Sequence, residues 1–188
     1  MNRQIGLKRG PLTPGSAHIC VDMHTTSTSG LRSRSGMARA LPAAEALALA
    51  WPSRTIFTRQ VPRGSNQGLG ANRQGSNTIS ALPNNLARLL PTAMLLEKDL
   101  PSPWETPALE ERLRSARVDT LIFSGAEIDE GMLATLRGAV DRGYRVIIAV
   151  DALGGSEAEL EERFLLADPD YADRVELSTI AEILRHWH

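Results

Sequence analysis

The chain reads as an α/β protein, a three-layer, doubly wound and mostly parallel sheet of about six strands. Two observations predict this. Short apolar runs alternate with helix-patterned stretches along almost the whole chain. One of these runs, YRVIIAVDA at 144–152, is nearly continuous in apolar residues, as a strand covered on both faces of a parallel sheet must be.

The elements follow in order. Residues 1–16 hold Lys8, Arg9, three Gly and two Pro and read as an extended arm, docked on the domain or on another subunit. A single domain then runs over 17–188. AHICVDM at 17–23 is a first buried strand ending in Asp22. The Thr-, Ser-, Gly- and Arg-rich stretch 25–36 reads as loop, and MARALPAAEALALA at 37–50 as a helix with Pro42 near its start. RTIFTRQ (54–60) is a second strand. Residues 61–80 show no period and are dominated by Gly, Asn, Ser and Gln, an unusually long loop for a compact domain.

AMLLE (93–97) is a third strand, followed by Lys98. Thr106 and Pro107 form an N-cap and first-turn pair for a helix to about Ala116. VDTLIFSG (118–125) is a fourth strand. Met132, Leu133, Leu136, Ala139 and Val140 line one face of a helix over 130–142, stopped by Gly143. The apolar strand at 144–152, a helix near 156–166, a short strand near 174–178 and a helix from 179 complete the pattern.

Composition excludes several classes. The formal net charge is −1, from 21 basic and 22 acidic residues, a balance that gives no argument for nucleic acid or a membrane surface as partner. Aromatic residues are 4% of the chain, too few for a base-stacking platform. The one cysteine, Cys20, cannot form an internal disulfide. The start MNRQIGLKRG lacks an apolar run behind its basic residues and does not read as a secretory signal. A cytoplasmic protein is expected, with a small molecule as substrate or ligand and no nucleic-acid or membrane partner.

In open parallel sheets ligands bind outside the carboxyl ends of the strands. That rule selects Asp22, Gln60, Lys98, Glu127, Asp129 and Asp151 as candidates. Each has a structural alternative: Asp22 a cap, Lys98 a solvated surface lysine, Asp151 a partner for the following turn. Asp129 is best placed as the N-cap of the helix starting near Glu130.

Taken together, HICVDMH (18–24), IFTRQVP (56–62), LLEKDL (95–100) and GAEIDEGMLATLRGAVDRGYRVIIAVDAL (125–153) resemble the isochorismatase-like cysteine hydrolases. The resemblance is strongest in the last segment and weakest over 61–105. It implies a Rossmann-like fold, a homo-oligomer, and a triad of Asp, Lys and Cys. Asp22 and Lys98 match the first two members; the cysteine position is Gly131. Glycine offers no nucleophile, so covalent catalysis of the usual kind is not expected. Cys20 lies two residues before Asp22 and so shares its strand face, but a lone buried cysteine is ordinarily packing.

Members of the family that hydrolyse vinyl ethers also have glycine at this position, and their carboxylic acid donates the proton. In them a Thr-x-Gln segment binds substrate, a form shared by Thr58-Arg59-Gln60. They carry an aromatic residue where this chain has Glu127. The metal-binding His of the nicotinamidase branch has no counterpart after the second strand, so no metal and no cofactor are implied. His24 stands where the family has Gln and is placed to tune or relay to Asp22. The site expected from sequence is thus Asp22, Lys98 and Gly131 at its centre, with Arg59, Gln60, Glu127 and His24 as substrate contacts. Three functions remain open: a cysteine-independent hydrolase, a catalytically inactive binding protein, or a subunit partnering an active relative.

Overall fold

The structure is a computed structural model that describes residues 5–24, 31–61, 81–90, 92–166 and 169–187. Its centre is a six-stranded sheet in the order β3-β2-β1-β4-β5-β6, every pairing parallel. The strands are β1 (Ser16–Val21), β2 (Thr55–Gln60), β3 (Met94–Lys98), β4 (Thr120–Gly125), β5 (Arg145–Leu153) and β6 (Val175–Ser178). The helices are α1 (Leu31–Ala50), α2 (Asn84–Ala87), α3 (Pro107–Ser115), α4 (Glu130–Asp141), α5 (Glu157–Leu160), α6 (Pro169–Arg174) and α7 (Ile180–His186). A π-helical turn, Glu161–Leu165, continues α5.

Side-chain alternation divides the core into two layers. Ile19, Val21, Ile56, Leu96 and Phe123 pack with Leu109 and Leu113 of α3, Met132 and Leu136 of α4, and Leu160 of α5. Cys20, Phe57, Ile122 and Ile147 pack on the other face with Ala40, Ala44 and Leu47 of α1, Leu86 of α2 and Ile183 of α7. This is the three-layer, doubly wound arrangement expected from the strand-helix alternation. Strand order reverses between β1 and β4, so the chain leaves their carboxyl ends in opposite directions and opens a crevice there.

The helix expected at 37–50 begins earlier, at Leu31, so 31–36 are helical rather than loop. Pro42 therefore sits inside α1, not near its start. Gly36 explains part of this extension: a Cβ there would strike the Gly154 carbonyl, so glycine lets the first part of α1 lie against the end of β5. Arg39 of α1 ties the same place, donating from Nη2 to the carbonyls of Gly154 and Gly155 at 3.1 and 3.0 Å. Residues 62–80, most of the long loop, lie outside the described residues, as do 25–30. No helix among the described residues is long and apolar enough to cross a membrane.

The arm docks on its own chain over its described part. Gly6 N–H donates to Leu177 O at 2.7 Å, covering the outer edge of β6. Glu176, almost fully buried, accepts from the amides of Lys8 and Arg9 and from the Arg145 guanidinium at 2.7 to 3.1 Å. Burial pushes this carboxyl up, but the Arg145 bond and the two amides outweigh it and hold it below its ordinary value.

His18 lies in β1 with no exposed surface. Thr55 Oγ1 donates to Trp51 O, so it accepts from His18 Nδ1–H at 3.3 Å; Nε2 then accepts from the Ser124 hydroxyl at 2.8 Å. Burial lowers the imidazole from 6.5 to about 3. The folded state thus holds His18 neutral while the unfolded chain protonates it. Below pH 6.5 stability falls by about 1.4 kcal/mol per pH unit from this group, until the folded imidazole itself titrates near 3. Urea titrations of wild type and His18→Gln between pH 7 and 4 check this: the wild type loses stability more steeply.

Candidate functional site

The site is built where β1, β2 and β3 end beside the first turn of α4. Lys98 is the last residue of β3, paired in register with Gln60 of β2. Its ammonium donates to Asp22 Oδ2 at 2.7 Å and to Pro101 O at 2.8 Å. The side chains are 1% exposed for Lys98 and 11% for Asp22. Thr58 Oγ1 donates to Asp22 Oδ1 at 3.0 Å and accepts from the Asp22 amide at 3.2 Å. Both carboxylate oxygens of Asp22 are therefore engaged. Among the described residues two of the three ammonium protons of Lys98 are engaged as well.

A backbone feature makes this possible. Asp22 has φ +47°, in the left-handed region. By simple alternation Asp22 would follow Cys20 into the α1 layer. The left-handed turn takes its carboxylate to the α4 layer instead, where Thr58 (in step with Ile56) and Lys98 (in step with Leu96) also point. The expectation that Cys20 and Asp22 share a face is thereby corrected. Cys20 is fully buried, and burial, with a smaller push from Asp22 against a Ser124 hydrogen bond, raises its thiol to about 12.

Gly131 is the second residue of α4 and is buried. A Cβ placed on it would lie 3.1 Å from Asp22 Oδ2, 3.3 Å from Asp129 Oδ1 and 3.5 Å from Lys98 Nζ. The structure thus brings Asp22, Lys98 and Gly131 together as one cluster. Asp129 is the N-cap, its Oδ1 accepting from Met132 N–H at 2.9 Å. The N–H groups of Glu130 and Gly131 belong to the first turn, which an α-helix leaves without partners of its own.

His24 follows the end of β1 by three residues, so no strand alternation carries it to the Asp22 face. Its amide donates to Asp22 O at 2.9 Å. Its Nδ1 is buried and has no hydrogen-bond partner among the described residues. Burial lowers its imidazole, with Asp22 and Asp129 acting to raise it and Lys98 to lower it.

Arg59 is not brought to the cluster. It shares the α1 face of β2 with Phe57, and its guanidinium is ion-paired with Glu97, its register partner on β3. This corrects its expected place beside Gln60, since adjacent strand residues face opposite ways. Gln60 is exposed at the end of β2. Glu127 is also exposed and borders a neighbouring cleft of about 560 Å³ with Arg39, Asp129, Gly155, Glu159 and Arg163. Burial first, then Asp129 and Glu159, raise its carboxyl. Asp151 accepts from Ile180 N–H at 2.9 Å and so tethers the start of α7 rather than its own following turn. Thr58 and the Pro101 carbonyl are the contacts that residue-type reasoning missed as anchors of the pair. Thr58 stands in the Thr-x-Gln form read as a substrate contact, and its period-two match with Ile56 signals the face it takes. Among the described residues no group of three His, Cys, Asp or Glu side chains is placed to hold a metal.

Two thiols test this geometry. Cys20 should resist Ellman's reagent in the folded wild type and react on unfolding. In Gly131→Cys, a thiol beside the Lys98 ammonium and the α4 N-terminus should react rapidly at pH 7, as depressed thiols do. Equal reactivity of the two cysteines would contradict the arrangement.

Comparison with known proteins bears on the whole chain. The family model described as the isochorismatase domain matches residues 16–169. No functionally curated protein sequence matches. Among solved structures, a cysteine hydrolase from Pseudomonas syringae pv. phaseolicola superposes with TM-score 0.69 at 23% identity, over 99% of this chain and 98% of that one. An isochorismatase from Pseudomonas putida gives TM-score 0.69 at 21% identity, over 94% of each chain. N-carbamoylsarcosine amidase from Thermoplasma acidophilum gives 0.64 at 17%, over 89% of this chain and 98% of that one. These likenesses carry the fold; the family model carries the membership. With the family model spanning most of the chain, from β1 through β5 and including the Asp22–Lys98 pair against α4, this chain belongs to the isochorismatase family.

Proposed function

We propose that this protein is a hydrolase of a small organic molecule that works without a cysteine nucleophile. The observation that carries this reading is the 2.7 Å bond between a buried Lys98 ammonium and Asp22, set against Gly131 in the first turn of α4. A charge pair buried this deeply costs several kcal/mol in desolvation, and a well-packed apolar pair serves stability as well. Its place at the carboxyl ends of the strands, where parallel sheets bind ligands, supports a chemical use.

The roles follow from the bonds. Asp22 is the general acid, and the proton it delivers passes from Nζ to Oδ2 along the bridge. Lys98 also orients the carboxylate and offers its third N–H to a substrate oxygen. The first-turn N–H groups of α4 favour negative charge developing there. Gln60, exposed at the rim, contacts substrate. A vinyl ether fits this set. Protonation of its terminal carbon needs an acid and no thiolate.

A second reading has its own observation. Lys98 also holds Pro101, and Asp22 also holds Thr58, so the pair clips together the ends of β1, β2 and the 99–101 loop. In that reading the chain is a catalytically inactive binding protein or partner subunit. The two readings separate experimentally. Asp22→Asn should abolish vinyl-ether hydrolysis and, by leaving a buried ammonium unpaired, cost about 3–5 kcal/mol of stability. The double variant Asp22→Asn/Lys98→Met should recover stability but not turnover, whereas Cys20→Ala should keep both. Turnover that survives in the double variant, or that is lost with Cys20, rules out the acid mechanism.

A further inference from the structure

The register between β1 and β2 runs as far as Cys20 opposite Phe57, and β1 ends one residue later at Val21. Asp22 then leaves the strand at φ +47°, while β2 continues through Thr58 to Gln60. The Thr58 hydroxyl takes over where the ladder stops. It accepts from the Asp22 amide at 3.2 Å and donates to Asp22 Oδ1 at 3.0 Å. A hydroxyl has a single proton to give, and this one goes to Asp22. Thr58 also has no exposed surface. The Thr-x-Gln form casts it as a substrate contact; its bonds give it a different task.

The two bonds grip one residue at both its backbone and its side chain. The first holds the left-handed turn, and the second fixes the rotation of the carboxylate. With Oδ1 committed to Thr58, Oδ2 is the oxygen that meets Lys98 Nζ at 2.7 Å. Oδ2 is also the oxygen that faces α4, 3.1 Å from where a Cβ on Gly131 would lie.

Resting on the hydrolase reading, we propose that Thr58 is the positioning residue of the acid: its hydroxyl selects Oδ2 as the oxygen that delivers the proton and holds it against the first turn of α4. Thr58 itself touches no reacting atom. Valine at 58 keeps the branched shape and frees the Asp22 amide and Oδ1 together. The carboxylate is then held by Lys98 alone and can turn either oxygen toward it. Serine keeps both bonds. A displacement of about 1 Å in a reacting group can cost about 100-fold in rate, so the grip acts on turnover and not on substrate affinity.

The test uses a panel of small enol ethers headed by 2-methoxypropenoate, with pyruvate release followed by lactate dehydrogenase. We expect Thr58→Val to lower kcat about 100-fold with KM unchanged, whereas loss of a substrate contact would raise KM. Thr58→Ser should keep kcat close to wild type. Thr58→Ala, which lacks the hydroxyl without adding a methyl, should match Thr58→Val and serves if valine prevents folding. Amide hydrogen exchange at Asp22 reads the grip without turnover: it should be about 10-fold faster in Thr58→Val and unchanged in Thr58→Ser. Wild-type kcat in Thr58→Val, a rise in KM alone, or an Asp22 amide as protected as in wild type overturns this inference. Beside an inert Asp22→Asn, each of these leaves the hydrolase reading standing. A wild type inert toward the whole panel overturns that reading and this role with it.

Discussion

The left-handed backbone at Asp22 is the constraint from which the site follows. A β-strand delivers its side chains alternately to two faces, and β1 is extended through Val21. One more extended residue would have turned the carboxylate toward α1, away from the lysine. A single residue at φ +47° moves it to the α4 side, and Thr58 fixes it there with two hydrogen bonds. Strain of this kind, of order 1–3 kcal/mol, persists where surrounding contacts over-determine it. Here the surrounding contacts include an ion pair with a lysine that is almost completely buried.

That pair in turn sets the meaning of Gly131. Glycine inside a helix loses conformational entropy and packing relative to alanine. At 131 any side chain would approach a carboxylate oxygen at 3.1 Å and an ammonium at 3.5 Å. Its absence lets the first turn of α4 lie close against the pair. A missing nucleophile therefore changes the chemistry that the site supports, and leaves its acid–base members in place.

The neighbouring polar cleft belongs to a different set of elements. Its arginines, Arg39 and Arg163, are spent on backbone carbonyls of Gly154, Gly155 and Ile128, so they act as braces between α1, the β5 end and the π-helical turn. Glu127, expected among the substrate contacts from its position after the fourth strand, lies among Asp129 and Glu159 in this cleft. On the far edge of the sheet, the arm covers β6 through Glu176 and Arg145 and removes an exposed strand edge.

The sequence by itself determined the layered sheet, because apolar runs of strand length and helix-period faces are local patterns, as in 144–152 and 130–142. It also determined which residues end the strands, and so put Asp22, Lys98 and Gly131 on one candidate list. It misjudged positions decided by contacts distant in sequence. Pro42 lies mid-helix because glycine contacts at Gly36 and Gly154 let α1 extend backward; Arg59 turns to Glu97 because its register partner across the sheet awaits it. Only the tertiary structure decided that Asp22 crosses to the Lys98 face and that a His24 nitrogen is buried with no partner among the described residues. A backbone dihedral and a buried atom's missing partner depend on where the rest of the chain packs, and no local pattern encodes that.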